Sequence, residues 1–398
     1  MNIKIYPGKL TGHLSAIPSK SQAHRLLICA AFSDKATTLV CPESNQDIEA
    51  TAGCLNALGA QITRIEEGYH VLPIVSFPST ATIDCCESGS TLRFLLPIVC
   101  AMGVPTTIHM SGRLPQRPLS PLWEELERMG CKLTRPTEST IQTAGKLQAG
   151  VFTIAGNVSS QFITGLLFAL TLLDGDSKIE VTGTLESKPY VEMTQQALSI
   201  FGVCTKEFCI HGCLPYHSPG VVNVEGDWSN AAFFLVAEKL GHNVRVGNLN
   251  NCSAQGDRAI AKIITDKRDF PVISAADIPD LVPILAVYFA AKNGAMFTDI
   301  RRLRLKESDR VVSVANLMRA LGIHVKYDEN TLTVYGGCFT GGIVDACADH
   351  RIAMAAGIAA TIAQEPVVIS GAECVSKSYP KFWQEFKRLG GYYEQYIR

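Results

Sequence analysis

The sequence predicts an α/β chain of two similar domains, each holding three units of alternating strands and helices, and three observations predict it. Short β-rich runs alternate with apolar or amphipathic helical runs along the whole chain. The helical runs repeatedly stop on a Leu-Gly-like pair, and most of those pairs recur at intervals of about 70 residues. At 398 residues the chain exceeds a single domain of about 150 and is long enough to bury separate cores.

The elements follow in order. Ser19-Lys20-Ser21 is a capping sequence ahead of an apolar run, which predicts a helix from Ala23 to Phe32. Thr37 to Val40 is β-rich and reads as a strand, and a helix then closes at Leu58-Gly59. Ser88-Gly89-Ser90-Thr91 opens the next helix, with Arg93 in its first turn; Thr106 to Met110 reads as a strand and Leu122 to Met129 as a helix stopped by Gly130. Ser159-Ser160-Gln161 opens an apolar helix at Phe162, and another helix ends at Phe201-Gly202. After about Asn223 the pattern resumes. A helix ending at Leu240-Gly241 stands outside the 70-residue series, a helical run from Arg258 to Lys267 fills the series without its glycine, and later helices end at Leu321-Gly322 and Leu389-Gly390. The expected domains are residues 15–224, and residues 1–14 together with 225–398.

Composition narrows the function. The 36 Lys and Arg against 37 Asp and Glu leave a net charge of −1, so a surface built to grip nucleic acid or an anionic membrane is not expected over the whole molecule. The 47% apolar and 18% charged content excludes a disordered chain. MNIKIYPGKL has no apolar signal region, and no apolar stretch reaches the roughly 20 residues that span a bilayer, so a cytoplasmic protein is expected. The 14 cysteines then read as reduced thiols. Cys204, Cys209, His211, Cys213 and His217 lack the tight C-x2-C pairs of structural zinc sites, and no metal is expected there. The Asn157 and Asn251 sequons are inert in such a chain.

Five helix starts carry a donor-rich side chain beside a capping residue: Ser19-Lys20-Ser21 with Arg25, Ser88-Gly89 with Arg93, Ser159-Ser160-Gln161, Ser308-Asp309 with Arg310, and Asp349-His350 with Arg351. A helix start offers unpaired N–H groups and about half a positive charge, and Arg adds a planar fork, so together they favour phosphate and carboxylate ligands. Further cations lie in the loops GRLPQRPLSP (Arg113, Arg117) and SKSYP (Lys377). Asp280 in DIPDLVP and Glu307 in RLKESDR add carboxylates. From spacing alone, Asp280 reads equally as a helix cap and KESDR as a solvated charge run; Lys306 and Arg310, four apart, share a face if a helix begins there. The chain has neither a GxxxxGKS phosphate loop nor a GxGxxG turn.

The ordered set PSKSQAHR, SGSTLR, GRLPQRPL, SSQF, SKPY, EGDWSNA, IPD, RLKESDR, DHRIAMA and SKSYP resembles the family of 5-enolpyruvylshikimate-3-phosphate (EPSP) synthases, or 3-phosphoshikimate 1-carboxyvinyltransferases. The resemblance implies an inside-out α/β barrel fold, with two domains each of three βαβαββ units. It implies transfer of the enolpyruvyl group from phosphoenolpyruvate to the 5-hydroxyl of shikimate 3-phosphate, by addition and elimination, on the route to chorismate and aromatic amino acids. It also implies no metal and no cofactor. The expected partners are small molecules, with no nucleic acid and no membrane, and a monomer is expected. Carried over residue by residue, Lys20, Asp280 and Glu307 are expected to be catalytic, with Asp280 accepting the hydroxyl proton and Glu307 serving the methylene carbon. Ser21, Arg25, Ser159, Ser160, Gln161, Ser187, Tyr190 and Lys306 are expected at shikimate 3-phosphate. Lys20, Gly89, Arg117, Gln161, Arg310, Arg351 and Lys377 are expected at phosphoenolpyruvate, the position contested by the inhibitor glyphosate. Glu87 and Arg302 depart from the family, where many relatives have Asn before the glycine motif and some have Asn at the second position. Hinge closure about Gly12 to Ala16 and Asn223 to Gly226 is expected. Related transferases acting on UDP-N-acetylglucosamine are a poorer match to PSKS, SSQF and SKPY.

Overall fold

The computed structural model describes residues 1–205 and 208–396, which form two compact units: Pro18–Glu225, and Met1–Ile17 with Gly226–Arg398. The divisions fall three residues and one residue later than the expected 14/15 and 224/225. The first shift has a plain cause. Thr11–Ser15 pairs in parallel with Asn243–Gly247, and Ala16 N donates to Gly247 O, so the chain stays with the 226–398 unit until Ile17.

Among the described residues of Pro18–Glu225 six helices alternate between two roles. α1 (Lys20–Ala31), α3 (Gly89–Met102) and α5 (Ser160–Leu170) are buried on nearly every side, which explains their continuous apolar runs. α2 (Gln46–Ala57), α4 (Leu122–Arg128) and α6 (Lys188–Ile200) are amphipathic and bury one face. Each core and outer helix pair belongs to one small sheet. Ala81–Asp84 and Thr106–His109 pair in parallel across α3, and Thr140–Gly145 and Cys131–Thr137 add an antiparallel hairpin after α4, completing βαβαββ. The α5/α6 sheet begins with Val151–Ala155 and Ser177–Thr182 in the same way, and Cys209–Ile210 adds to it antiparallel. The sheet of Thr37–Val40, Gly68–Leu72 and Gln61–Ile65 takes its parallel edge strand, Val221–Asn223, from the far end of the unit. α3 and α5 cross closely because of Gly165, where a Cβ would lie 2.2 Å from Arg93 O.

The second unit repeats the scheme with α7 (Trp228–Lys239), α9 (Val282–Ala290) and α11 (His350–Thr361) as buried helices, and α8 (Ile260–Ile263), α10 (Arg310–Ala320) and α12 (Phe382–Arg388) outside them. Its sheets are Thr11–Ser15 with Asn243–Gly247; Val272–Ser274, Gly294–Thr298, Thr331–Tyr335 and Val325–Tyr327; and Gly342–Asp345, Val367–Ser370, Asn2–Tyr6 and Tyr392–Gln395.

The glycine series marks the outer helices. Gly59, Gly130, Gly202, Gly322 and Gly390 all have φ between 78° and 110° after α2, α4, α6, α10 and α12. Gly241 ends α7, a core helix, which is why it stands outside the series. The run expected from Arg258 to Lys267 is shorter: a 3-10 turn over Gly256–Ala259 leads into α8, which stops at Ile263. There the Thr265 hydroxyl takes the carbonyls of Ala261 and Lys262, a side-chain bond that competes with helix extension.

Candidate active site

In the 226–398 unit Asp280 does not cap α9. The helix starts at Val282 behind Leu281, with no side-chain cap bond, and this leaves the Asp280 carboxylate to Arg310. Arg310 is the first residue of α10, which Asp309 caps by accepting from Val312 N. Because the helix begins there, Lys306 precedes it in extended backbone and shares no helix face with Arg310; both nonetheless reach Asp280 Oδ1, Lys306 at 3.5 Å and Arg310 at 2.6 Å.

All five N–H donors of Arg310 are engaged. Nε donates to Asp349 Oδ2 at 2.9 Å; Nη1 donates to Asp280 Oδ1 and to Pro279 O at 3.4 Å; Nη2 donates to Glu307 Oε2 at 2.7 Å and Asp349 Oδ1 at 3.4 Å. Burial opposes its charge, and the three carboxylates overcome that and hold it firmly protonated. Asp349 is fully buried and also accepts from Ser308 Oγ and Arg351 N, so one carboxylate caps α11 and fixes Arg310.

Arg351 is held differently. Its contacts are long, Nη1 to Asn230 Oδ1 at 3.4 Å and Nη2 to Asp280 Oδ2 at 3.6 Å, and its buried Nε has no hydrogen-bond partner among the described residues. It is a buried guanidinium with donor capacity to spare. Lys377 Nζ donates to Ala348 O at 3.0 Å, which brings it to the start of the same helix. Burial raises Asp280, but Lys306, Arg310 and Arg351 outweigh it and hold the carboxyl well below the usual range. Burial in turn pulls Lys306 down against the pull of Asp280.

In Pro18–Glu225 the serine caps are where the sequence puts them: Ser19, Ser88 and Ser159 accept from the N–H groups of Gln22, Thr91 and Gln161. Lys20 Nζ pairs with Asp47 Oδ2 at 2.7 Å. Gln161 joins α5 to α3, its Oε1 accepting from Arg93 Nη1 at 2.8 Å and its Nε2 donating to Ser90 Oγ at 3.0 Å. Gly89 lies beneath Arg117, so that a Cβ there would be 2.5 Å from Nη1. Arg25 is buried and donates to Ser21 O, Tyr190 O, Thr194 Oγ1 and Thr164 Oγ1, with its guanidinium 5.0 Å from the Phe94 ring. Burial lowers it to about 10. It thereby sets Ser21 and Tyr190 next to each other. Ser187, buried ahead of α6, has a left-handed backbone (φ 55°, ψ 37°) that a non-glycine residue adopts only when its surroundings impose it. Ser160 is buried in the first turn of α5.

The two departures are placed as well. The Glu87 carboxylate lies against Gly112, in the loop leading to Arg117. Arg302 is half-buried in the 3-10 turn Arg301–Leu305, where its charge further lowers Lys306. In the cysteine-rich stretch His211 pairs with Asp176, His217 with Asp34 and Cys213 with Asp174; among the described residues no group of three His, Cys, Asp or Glu could hold a metal ion. No helix of the described residues is long and apolar enough to cross a membrane.

Sequence reasoning missed Asp47, Asn230 and the positioning role of Asp349. Asp47 reads as an ordinary first-turn acid of α2, and Asn230 lies within EGDWSNA without a charge to draw attention. Asp349 reads from the sequence only as a cap.

The family model described as EPSP synthase (3-phosphoshikimate 1-carboxyvinyltransferase) matches residues 5–386. The 3-phosphoshikimate 1-carboxyvinyltransferase of Clostridium botulinum (strain Eklund 17B / Type B) is 38% identical over 426 residues, covering 99% of this chain and 98% of that one. The protein of the same name from Clostridium kluyveri is 40% identical over 420 residues, with 98% and 97% covered. The EPSP synthase of Acinetobacter baumannii, a solved structure, shares the fold with a TM-score of 0.80 over the whole of both chains at 21% identity. With a family match along almost its entire length and full-length relatives at this identity, the chain belongs to the EPSP synthase family.

Proposed function

We propose that the two residue clusters serve the reaction of the family, transfer of the enolpyruvyl group from phosphoenolpyruvate to the 5-hydroxyl of shikimate 3-phosphate with release of phosphate. The chain is a transferase of the shikimate pathway. The observation that carries the residue assignment is the pair of carboxylates, Asp280 and Glu307, gripped by a single guanidinium.

Addition of the hydroxyl across the enol double bond requires one group to take the hydroxyl proton while another delivers a proton to the methylene carbon. Two carboxyl groups in different environments divide that labour. Asp280, beside three cations, accepts the hydroxyl proton; Glu307, a carboxylate held by Arg310, serves the methylene carbon once it has itself taken up a proton from solvent. Asp280 alone among these cations is a weak base. An anionic substrate that draws Arg351 and Lys306 to itself relieves that suppression, so binding raises the basicity of Asp280 when a base is needed.

Phosphoenolpyruvate is held first by Arg351, through its spare donors, and by Lys377, with Gly89, Arg117 and Gln161 completing its contacts. Arg310 reaches it only by giving up one of its carboxylate bonds. Ser21, Ser159, Ser160, Ser187, Tyr190 and Lys306 hold shikimate 3-phosphate; Arg25 acts there through Ser21 and Tyr190, and Lys20 serves both substrates. The two units are assigned as domains on the same grounds. The chain works as a cytoplasmic monomer with these small molecules, without nucleic acid, metal or cofactor.

Phosphate release is the test. With phosphoenolpyruvate and shikimate 3-phosphate in the presence of a chelator, turnover is expected; turnover only with UDP-N-acetylglucosamine, or only with added metal, contradicts the assignment.

A further inference from the structure

One buried carboxyl in the 226–398 unit takes no part in the chemistry described above. Asp257 lies in the 3-10 turn Gly256–Ala259, 1% exposed. The turn is fastened to the first turn of α7: Gln255 Oε1 accepts from Trp228 N at 3.0 Å, Gln255 Nε2 donates to Gly226 O at 2.8 Å, and Asp257 Oδ2 accepts from Ser229 Oγ. Among the described residues Asp257 Oδ1 is buried with no hydrogen-bond partner. Ser229 is followed by Asn230, whose Oδ1 accepts from Arg351 Nη1 and from Ser378 Oγ.

A carboxylate excluded from water, with one hydroxyl contact and an empty second oxygen, is too costly to keep ionised. The groups facing it reinforce this. Asp280 ahead of α9 and Asp227 at the cap of α7 are negative, Arg351 on α11 is the positive group, and Ser229 is neutral. Burial, followed by the charge of Asp280, pushes the Asp257 carboxyl up to about 7.

We infer that Asp257 is a positioning residue of the site: it holds a proton beside the Asp280–Arg351 pair, and losing that proton to solvent weakens the capture of anionic substrate by Arg351. This rests on the proposed reaction. With Asp257 neutral, Arg351 answers to Asp280 alone among these carboxyl groups and can turn to an incoming phosphate or carboxylate. With Asp257 ionised, a second buried negative charge claims Arg351 and repels the substrate. One added buried charge is expected to weaken capture of the anion by about tenfold.

The experiment compares wild-type protein with Asp257→Asn, following phosphate release at saturating shikimate 3-phosphate and limiting phosphoenolpyruvate from pH 6 to pH 8.5. Dividing one profile by the other cancels the ionisation of the substrates. The ratio of wild type to variant is expected to fall about tenfold as pH rises through the Asp257 transition, and a ratio independent of pH overturns the inference. Ser229→Ala, which removes the hydroxyl that favours the ionised form, is expected to move the wild-type break to higher pH; an unmoved break also overturns it. Infrared difference spectra supply a readout free of turnover. A protonated-carboxyl C=O band present at pH 6, lost on alkalinisation and missing in Asp257→Asn is expected, and its absence from wild type contradicts the inference even if phosphate release fails for other reasons.

Discussion

Arg310 and Asp349 form the fixed point of the candidate site, with Nε 2.9 Å from Oδ2 and both residues buried. The rest of the guanidinium extends from that anchor to Asp280 and Glu307, at 2.6 Å and 2.7 Å. One planar group thus sets the separation of the two carboxylates assigned to proton transfer, and a buried acid sets the orientation of the planar group.

Replacing Arg310 by lysine tests this arrangement. A single ammonium cannot reproduce a fork that touches three carboxylates, so the carboxylates lose their mutual placement and turnover is expected to fall by at least about 100-fold. Arg310→Ala leaves buried acids uncompensated and is expected to cost about 3–5 kcal/mol in chemical denaturation. Full stability and activity in both variants would contradict the role.

Gly89→Ala probes the phosphoenolpyruvate contacts. The added Cβ meets the tip of Arg117, a flexible side chain that can move aside, rather than backbone. Stability is therefore expected to stay within about 0.5 kcal/mol, while displacement of a charged donor raises KM for phosphoenolpyruvate about tenfold. An unchanged KM would separate Arg117 from that substrate.

Gly165→Ala probes the core instead. Its Cβ would meet Arg93 O, and backbone cannot yield as a side-chain tip does, so α3 and α5 must part. The expected cost is about 1–3 kcal/mol, read from the urea midpoint, together with weaker activity because Gln161 and Arg93 ride on the separated helices.

The contrast between these glycines shows what is legible in a linear chain. Glycines that stop helices follow a spacing along the sequence, and from Gly59 to Gly390 that spacing picks out five of the six outer helices. The close crossing at Gly165 depends on which helix faces it, and an apolar run does not disclose that. The same holds for the site. Lys20, Arg117, Asp280, Glu307, Arg310 and Arg351 stand in motifs at helix starts and loops, where local chemistry is legible. Whether Asp280 caps a helix or meets Arg310 depends on a packing 30 residues distant, and spacing leaves both open. Asp47, Asn230 and Asp257 are short polar residues whose importance comes from the partners they are buried with.

His242 is expected to make stability fall in acid. Its Nδ1 accepts from Leu10 N at 3.0 Å, and Nε2 is 2.9 Å from the Thr361 hydroxyl, which fits a neutral ring. Burial, helped by Lys9, lowers it from 6.5 to about 4. The unfolded chain takes up the proton first, so this contribution is complete above about pH 6.5 and is lost as pH falls toward 4. His242→Gln is expected to flatten that part of the stability profile in thermal melts; an unchanged slope would show that His242 does not set it.

The paired-carboxylate assignment is tested most directly by the rate of phosphate release by Asp280→Asn and by Glu307→Gln, with binding of phosphoenolpyruvate and shikimate 3-phosphate followed separately by calorimetry. Each variant is expected to bind both substrates within a few-fold of wild type and to turn over at least about 100-fold more slowly. Wild-type turnover in both variants, with binding intact, would contradict it.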